Sequence, residues 1–177
     1  MPELSANAKE WIKDIGTAVV ISFLILQFIK PTIVREHSME PTLHESDYIF
    51  VSRQAYTLLG KPARGDIIIF ESSLETPDGK KKLFVKRIIG LPGEEISISG
   101  GKVRINGEVL EEDYTLDSYT QTEMETMVIP ENQLFVMGDN RQNSSDSRDS
   151  RIGTVSFDLV RGKAFFRLFP FDTAGTL

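Results

Sequence analysis

The sequence predicts a mainly β, antiparallel domain preceded by one N-terminal transmembrane helix. An apolar run at residues 15–29 predicts the helix, and short apolar segments separated by turn residues predict the strands. Gly-Gly at 100–101 and Asn-Gly at 106–107, each flanked by alternating apolar and polar residues, predict two tight hairpins. We expect an N-terminal tail and anchor at residues 1–34 and one folded domain at residues 35–177.

The apolar run is better explained by a membrane span than by a surface-lying helix. Its polar members do not share one helical face; they are Thr17, Ser22 and Gln27. Trp11 and Ile12 extend the run towards the roughly 20 residues that cross a bilayer, and Pro31 ends it. A cleaved signal peptide is the alternative, but residues 30–36 contain no pair of small residues in the arrangement of a cleavage site. Basic residues flank the run on both sides, so charge alone leaves its orientation open.

Composition excludes several classes of function. The chain carries 20 basic and 26 acidic side chains, a net charge of −6, which argues against a nucleic-acid partner. It contains no cysteine, so disulfides, thiolate metal sites and a cysteine nucleophile are excluded. Its two histidines, His37 and His44, are too few for a multi-histidine metal site. We therefore expect no metal and no cofactor.

After the anchor, the sequence predicts a series of strands. The candidates, in chain order, are residues 48–51, 66–70, 83–89, a meander over 96–110, then 133–137 and 163–169. The acidic, Ser- and Thr-rich residues 111–125 predict a surface excursion, and the polar residues 139–151 predict a loop or a short helix.

The strand at residues 83–89 places a lysine on an apolar face. With a period of two, Phe84, Lys86 and Ile88 point to the same side. Burial there disfavours the charged amine and lowers its pKa, so that a neutral Lys86 can accept a proton from a hydroxyl. The alternatives are that Lys86 reaches solvent at the strand edge or pairs with a carboxylate.

A serine that such an amine can activate lies just after the apolar run. Ser38 opens the segment Ser-Met-Glu-Pro-Thr-Leu, a loop stiffened by Pro41. A Ser-His-Asp triad would need His37, whose side chain points away from that of its neighbour in an extended segment, or His44, which lies beyond the proline. A Ser-Lys dyad needs one buried lysine and one loop serine, which Lys86 and Ser38 supply.

The polar residues 138–148 predict a support for this pair. They lack the glycine and distal glutamate spacing of a calcium loop, and a plain solvated loop is the alternative. As a support, the Ser144 hydroxyl would hold the Lys86 amine, and a pair between Asp146 and Arg148 would fix the loop. An aspartate that touches the amine would raise the pKa of the lysine, so we assign Asp146 an orienting role.

Four segments, in this order, resemble those of bacterial type I signal peptidases, or leader peptidases, in their compact single-anchor form. They are the serine segment 38–43, Arg-Gly-Asp-Ile-Ile-Ile-Phe at 64–70, Lys-Arg-Ile-Ile-Gly-Leu-Pro-Gly-Glu at 86–94, and the polar segment 138–148. The resemblance covers nearly the whole chain after the anchor. It implies a β-rich catalytic domain outside the cell membrane, with the N-terminus in the cytoplasm.

The resemblance also implies a serine endopeptidase that removes signal peptides from exported preproteins after small residues. Ser38 would be the nucleophile and Lys86 the general base, supported by Ser144, Asp146 and Arg148. The partners would be signal peptides and the lipids of the cytoplasmic membrane, and no cofactor would be needed.

Two positions next to the serine carry further expectations. Many members of the family have Gly, Ser or Thr two residues before the nucleophile, where this chain has Glu36, which is only an acceptor when ionised. We therefore expect the backbone N–H of Ser38 to be the main donor to the oxyanion. We expect Met39 to contact the membrane or to line a pocket.

Two alternative functions stay open at the level of sequence. A self-cleaving repressor uses a similar Ser-Lys dyad, but it would need an N-terminal DNA-binding domain where this chain has an apolar segment. A non-catalytic, membrane-anchored β-domain used for binding would keep Lys86 fully charged.

Overall fold

Antiparallel β-structure follows a long N-terminal helix in the computed structural model, which describes residues 6–57 and 60–177. The helix is α1, Ala6–Phe28. The strands are β1 Ile29–Ile33, β2 Tyr48–Ser52, β3 Ile67–Glu75, β4 Lys81–Gly90, β5 Glu95–Ser99, β6 Lys102–Ile105, β7 Glu108–Val109, β8 Met124–Val128, β9 Gln133–Met137, β10 Val155–Ser156, β11 Val160–Phe169 and β12 Gly175–Thr176. Short 3-10 helices lie at Phe157–Leu159 and Phe171–Thr173. The predicted mainly β fold is confirmed.

Helix α1 carries the apolar segment that the sequence predicts to cross a membrane. Its residues Ala8–Phe28 are long and apolar enough for a membrane span. Large apolar side chains of this stretch, among them Trp11, Val19 and Phe23, are exposed rather than packed on the protein. The helix begins before the predicted run and ends ahead of Pro31. Exposed apolar side chains on a helix of this length are suited to a lipid environment.

The larger sheet holds eight strands within the described residues. Its order is β1-β2-β11-β3-β4-β9-β10, with β12 paired to β11, and every pair is antiparallel. Strand β1 lies at the edge of the sheet. Pro31 has no N–H to donate, and an edge strand tolerates this because no described strand pairs with its outer side. The sequence places the end of the anchor at residue 34, whereas residues 29–33 already pair with β2 and belong to the sheet.

The smaller sheet is the predicted meander with one further strand. Its order is β7-β6-β5-β8. The φ angles are 57° and 76° at Gly100 and Gly101, and 51° and 84° at Asn106 and Gly107, which fit the tight turns that the sequence predicts. Strand β8 begins within the segment predicted as a surface excursion. Its side chains are exposed or half-buried, so it lacks the apolar alternation that identifies a strand from sequence.

Two apolar clusters on opposite faces of β3 and β4 determine where the functional side chains emerge. One cluster takes Ile67 and Ile69 of β3 together with side chains of the loop before β2. The other takes Ile68 of β3 with Phe84 and Ile88 of β4. The candidate lysine lies on β4 between the last two residues, on the face of the second cluster.

Candidate active site

The loop that carries Ser38 is fixed by burial of its apolar side chains. Met39 and Leu43 are 1% and 0% exposed and pack in the core with residues of β2, β3 and β11. Asn140 holds the loop from the other side, because its backbone N–H donates to the Ser38 carbonyl over 3.1 Å and its side-chain amide donates to the His37 carbonyl over 3.2 Å. Ser38 is therefore held at a well-defined, buried position.

Lys86 lies on β4 in the apolar surroundings that the sequence predicts. The residue is completely buried, and its Nζ lies 5.0 Å from the centroid of the Phe84 ring. The same nitrogen lies 2.7 Å from Ser38 Oγ and 3.1 Å from the Val85 carbonyl oxygen. The loop and the strand thus bring the candidate serine and the candidate lysine within hydrogen-bond distance.

Burial makes the Lys86 amine easy to deprotonate. Removal from water disfavours the charged form and lowers the pKa of Lys86 from 10.5 to about 8. The carboxylates of Asp146 and Glu36 oppose this shift in pKa, and the cations of Lys82 and Arg148 add to it. A pKa in this range leaves part of the amine neutral close to physiological pH, as a general base requires.

Asp146 and Arg148 form a buried ion pair close to Lys86. Arg148 donates to both carboxylate oxygens over 2.8 Å, and the Gly138 N–H donates to one of them over 3.0 Å. Burial alone would raise the pKa of Asp146, but the hydrogen bond and charge of Arg148 and the Gly138 N–H hold it below its usual range. Because Asp146 bonds these two partners, its position fits the orienting role that the sequence assigns to it.

Ser144 lies in the same loop without making the predicted bond to the lysine. Its Oγ is buried and has no hydrogen-bond partner among the residues that the structure describes, although it lies close enough to Asp146 to help lower the pKa of that carboxyl. A Cβ atom added at Gly138 would collide with Ser144 Oγ and with the Ser38 carbonyl oxygen. The glycine therefore permits the close packing of the two loops, and the role of Ser144 stays a prediction.

A second buried pair, on the opposite face of β4, is not predicted from the sequence. Two guanidinium nitrogens of Arg87 donate to the two carboxylate oxygens of Asp139 over 2.9 and 2.6 Å. The Thr42 hydroxyl donates to the same carboxylate over 2.6 Å. The pair therefore joins β4 to the serine loop and to the segment 138–148. Both residues stand in segments that the sequence singles out, but no spacing signal pairs them.

A groove with a volume of about 790 Å³ opens beside the serine. One wall is formed by residues 30–36 and the other by the hairpin of β3 and β4, including Leu83 and Val85. Met39 lines the groove and is buried, so its position fits the pocket contact and not the lipid contact. The pairing of β4 with β9 starts at Arg87, which leaves the edge of the preceding residues open for another strand.

One backbone donor next to the serine oxygen is free. In residues 6–57 and 60–177, the Ser38 N–H donates to no acceptor. The carboxylate of Glu36 lies 2.7 Å from Lys82 Nζ across the groove, and it has no proton to donate when ionised. The Ser38 N–H is therefore available as a donor to an oxyanion, and this role stays a prediction.

Neither histidine side chain bonds to the serine in the part of the chain that the structure describes. His37 Nδ1 lies 2.7 Å from Glu40 Oε1, and its side chain is 53% exposed. This hydrogen bond raises the pKa of His37. Among the described contacts, neither His37 nor His44 touches the Ser38 hydroxyl, so the geometry does not favour a histidine triad.

Known proteins are similar in sequence to most of this chain. A profile of the family described as signal peptidase, peptidase S26, matches residues 8–169. The chain belongs to this family. A signal peptidase I of Bacillus licheniformis is 36% identical over 184 aligned positions, which cover 96% of this chain and 95% of that protein. Signal peptidase I S of Bacillus subtilis (strain 168) is 34% identical and covers 92% of this chain and 90% of its own length.

Among solved structures, a signal peptidase I from Enterococcus faecalis V583 is 36% identical and aligns with a TM-score of 0.48 over 58% of this chain and 96% of that chain. Membership of the signal peptidase family makes this chain a hydrolase, specifically a serine endopeptidase that acts on chains with signal peptides. The resemblance seen in the sequence is confirmed.

Proposed function

We propose that Ser38 and Lys86 form a Ser-Lys dyad with which this membrane-anchored peptidase removes signal peptides from exported preproteins after small residues. The observation that carries the proposal is the 2.7 Å distance between Ser38 Oγ and the buried Lys86 Nζ. A neutral amine at this distance accepts the hydroxyl proton and turns the serine oxygen into a nucleophile.

The reaction runs through an acyl-enzyme. Ser38 Oγ attacks the scissile carbonyl while its proton passes to Lys86, and the resulting ammonium protonates the leaving amine. A water molecule then gives a proton to the neutral amine and attacks the ester, and Ser38 recovers its hydrogen as the acid product leaves. The free Ser38 N–H donates to the oxyanion in both stages. Asp146 and Arg148 keep the surrounding loop in place, with Ser144 packed beside them.

The groove supports binding of an extended substrate segment. Such a segment can add to the open edge of β4 near Leu83 and Val85, where main-chain hydrogen bonds hold it whatever its sequence. Beside Ser38 the wall is made of packed side chains, since Val34 and Met39 are 3% and 1% exposed. This wall favours small residues next to the scissile bond. A second small residue fits two positions earlier, because alternate side chains face the same wall.

The exposed apolar helix supports a single-pass anchor in the cytoplasmic membrane. Helix α1 ends at Phe28 and β1 starts at Ile29, so the catalytic domain begins where the span ends. We place the N-terminus in the cytoplasm and the domain on the extracytoplasmic side, where exported chains emerge. Because enzyme and substrate share one membrane, the effective concentration of the cleavage site is raised.

The two alternative functions lack comparable support. A self-cleaving repressor would need a DNA-binding domain where α1 lies. A binding domain would have no use for a lysine whose pKa is lowered by burial to about 8, next to a serine hydroxyl.

Cleavage of a model preprotein by the detergent-solubilised full-length protein tests the dyad. We expect Ser38→Ala and Lys86→Met each to lower kcat/KM by about 10³-fold or more with circular dichroism unchanged, and we expect mass analysis of the parent's products to place the cut after a small residue. Ser118→Ala and Lys102→Met are matched controls at exposed positions by the smaller sheet and should cleave like the parent. Normal processing by either dyad variant would refute the proposal.

A further inference from the structure

An ion pair spans the groove next to the proposed dyad. Lys82 Nζ on β4 lies 2.7 Å from a carboxylate oxygen of Glu36, on the segment that leads into the serine loop. Both residues line the groove, and their side chains are 40% and 44% exposed. The pair therefore connects the two walls of the groove at the edge of the catalytic pair.

Both members of this ion pair lie near the lysine of the dyad. The Nζ atoms of Lys82 and Lys86 lie 4.9 and 5.0 Å from the centroid of the same ring, that of Phe84. Glu36 stands two residues before Ser38. A charge on either member therefore acts on the amine that must lose its proton.

We propose that the Glu36–Lys82 ion pair positions the dyad, by tying the segment before Ser38 to β4 and by presenting Lys86 with two opposite charges that cancel. The inference rests on the proposed Ser-Lys dyad. Neither residue touches the reacting atoms, so both are positioning residues.

The charges that act on Lys86 come in two such pairs. Asp146 and Glu36 raise its pKa, and Lys82 and Arg148 lower it. Asp146 pairs with Arg148 and Glu36 pairs with Lys82, so each nearby carboxylate brings its own cation. With both pairs intact, burial is left as the main influence on the amine. Loss of one member of the exposed pair exposes Lys86 to an uncompensated charge.

His37 is a further titratable group on the loop that carries Ser38, and the carboxylates of Glu40 and Glu45 lie beside it. It pairs with Glu40 at 2.7 Å and lies 3.8 Å from Glu45, and its side chain is largely exposed. Its titration can add to the acid side of a pH profile. A His37→Gln background removes that contribution and leaves the effect on Lys86 to be measured alone.

The test is the pH profile of kcat/KM for preprotein cleavage by the full-length protein. The activity should rise with pH as Lys86 loses its proton, because only the neutral amine is a base. Lys82→Gln leaves Glu36 alone, so the rise should move to higher pH by about half a unit. Glu36→Gln leaves Lys82 alone and should move it to lower pH by a similar amount, about half a unit. In the double variant Glu36→Gln with Lys82→Gln, the pH at which kcat/KM rises should return close to that of the parent.

Further variants separate the effect of charge on Lys86 from the effect of the Glu36–Lys82 contact that joins the two walls of the groove. At the plateau of the profile, each single variant should lose about two- to fivefold in kcat/KM. The charge swap Glu36→Lys with Lys82→Glu restores the ion pair and should recover the plateau. High salt, about 1 M, should shrink both pH shifts because exposed charges are then screened. Glu71→Gln and Arg161→Gln break an ion pair of similar geometry that does not line the groove. They should change neither the pH profile nor the plateau of kcat/KM.

Two outcomes would overturn the inference. Shifts in the same direction, or no shift, in Lys82→Gln and Glu36→Gln would contradict compensation, and a charge swap as poor as the single variants would contradict the tie. Ser38→Ala and Lys86→Met are run in the same assay. Activity in those two variants would refute the dyad itself. If those two variants are inactive but the pH profiles of Lys82→Gln and Glu36→Gln do not move, only the role of the ion pair is refuted.

Discussion

The two faces of β4 carry neighbouring cations in opposite situations. Lys86 faces the apolar cluster of Phe84, is completely buried, and meets the neutral hydroxyl of Ser38. Arg87, one residue further on, is 8% exposed and is matched to the two oxygens of Asp139. Lys86 has no hydrogen-bonded carboxylate among the described contacts, whereas Arg87 has that of Asp139.

This difference separates a cation that joins segments of the structure from the cation that we propose as the base. The guanidinium of Arg87 donates to Asp139, to the Thr42 hydroxyl and to the Gly65 carbonyl, so it joins distant segments. The amine of Lys86 is destabilised as a cation by burial, so it gives up its proton more easily. The strand thus carries a buried ion pair on one side of the sheet and the proposed general base on the other.

Exchanging the type of cation on each face should have the largest effect. Lys86→Arg places beside Ser38 a side chain that is not deprotonated in proteins, so we expect kcat/KM for preprotein cleavage to fall by about 10³-fold or more. Arg87→Lys keeps the charge but loses the two-pronged contact with Asp139. That variant should lose stability to urea and keep most of its activity per folded molecule.

Lys86→Met is the control for the extra bulk of arginine, since it removes the base without adding volume. A Lys86→Arg protein that still cleaves would show that the proton acceptor is a different group. An Arg87→Lys protein that is inactive yet as stable as the parent would show that the second face also takes part in chemistry, and the division between the faces would be wrong.

Removing one partner from the paired face should have the next largest effect. Asp139→Asn leaves Arg87 buried without a counter-charge, and we expect the free energy of unfolding to fall by about 3–5 kcal/mol. Arg87→Met combined with Asp139→Asn should recover part of this loss because no unpaired charge remains. Urea unfolding of the detergent-solubilised chain measures both.

Asp78→Asn is the matched control for that loss, since it breaks an exposed pair with Lys80 whose side chains are 59% and 81% exposed. Solvent screens such a pair, so its loss should cost far less. Equal losses in Asp78→Asn and Asp139→Asn would mean that the buried pair contributes no more than a surface pair.

Local patterns explain which features the sequence predicts correctly. The two hairpins of the smaller sheet follow from glycine and asparagine turns, whose conformations depend on neighbouring residues only. The burial of Lys86 follows from strict alternation with Phe84 and Ile88. Ser38 is singled out as a candidate because a proline-containing loop follows the apolar run, and its catalytic role stays a prediction. Each of these signals lies within about ten residues of chain, the length over which a strand or a hairpin is specified.

Contacts between distant segments explain what the sequence does not predict. Arg87 and Asp139 are 52 residues apart, and Glu36 and Lys82 belong to different elements. Their pairing depends on how loops close over the sheet, which no periodic pattern encodes. The same limit applies to Ser144. Its loop lies near Ser38 and Lys86, but the direction of its hydroxyl depends on one side-chain rotamer. The start of the sheet at residue 29 follows from pairing with β2, which the apolar composition of the anchor conceals.

The pH dependence of stability tests the face of β4 that carries Lys86. The pKa of Lys86 is about 8 in the folded protein, below the 10.5 of a free lysine. Between those values the unfolded chain binds more protons than the folded chain, so this group makes stability rise with pH. Below pH 8 the full cost is present, about 3 kcal/mol at roughly 1.36 kcal/mol for each pKa unit. Lys86→Met should therefore be more stable than the parent at pH 7, and its advantage should disappear by about pH 10.5. A stability difference that stays constant from pH 7 to 10.5 would contradict a lowered pKa, and with it the distinction between the two faces.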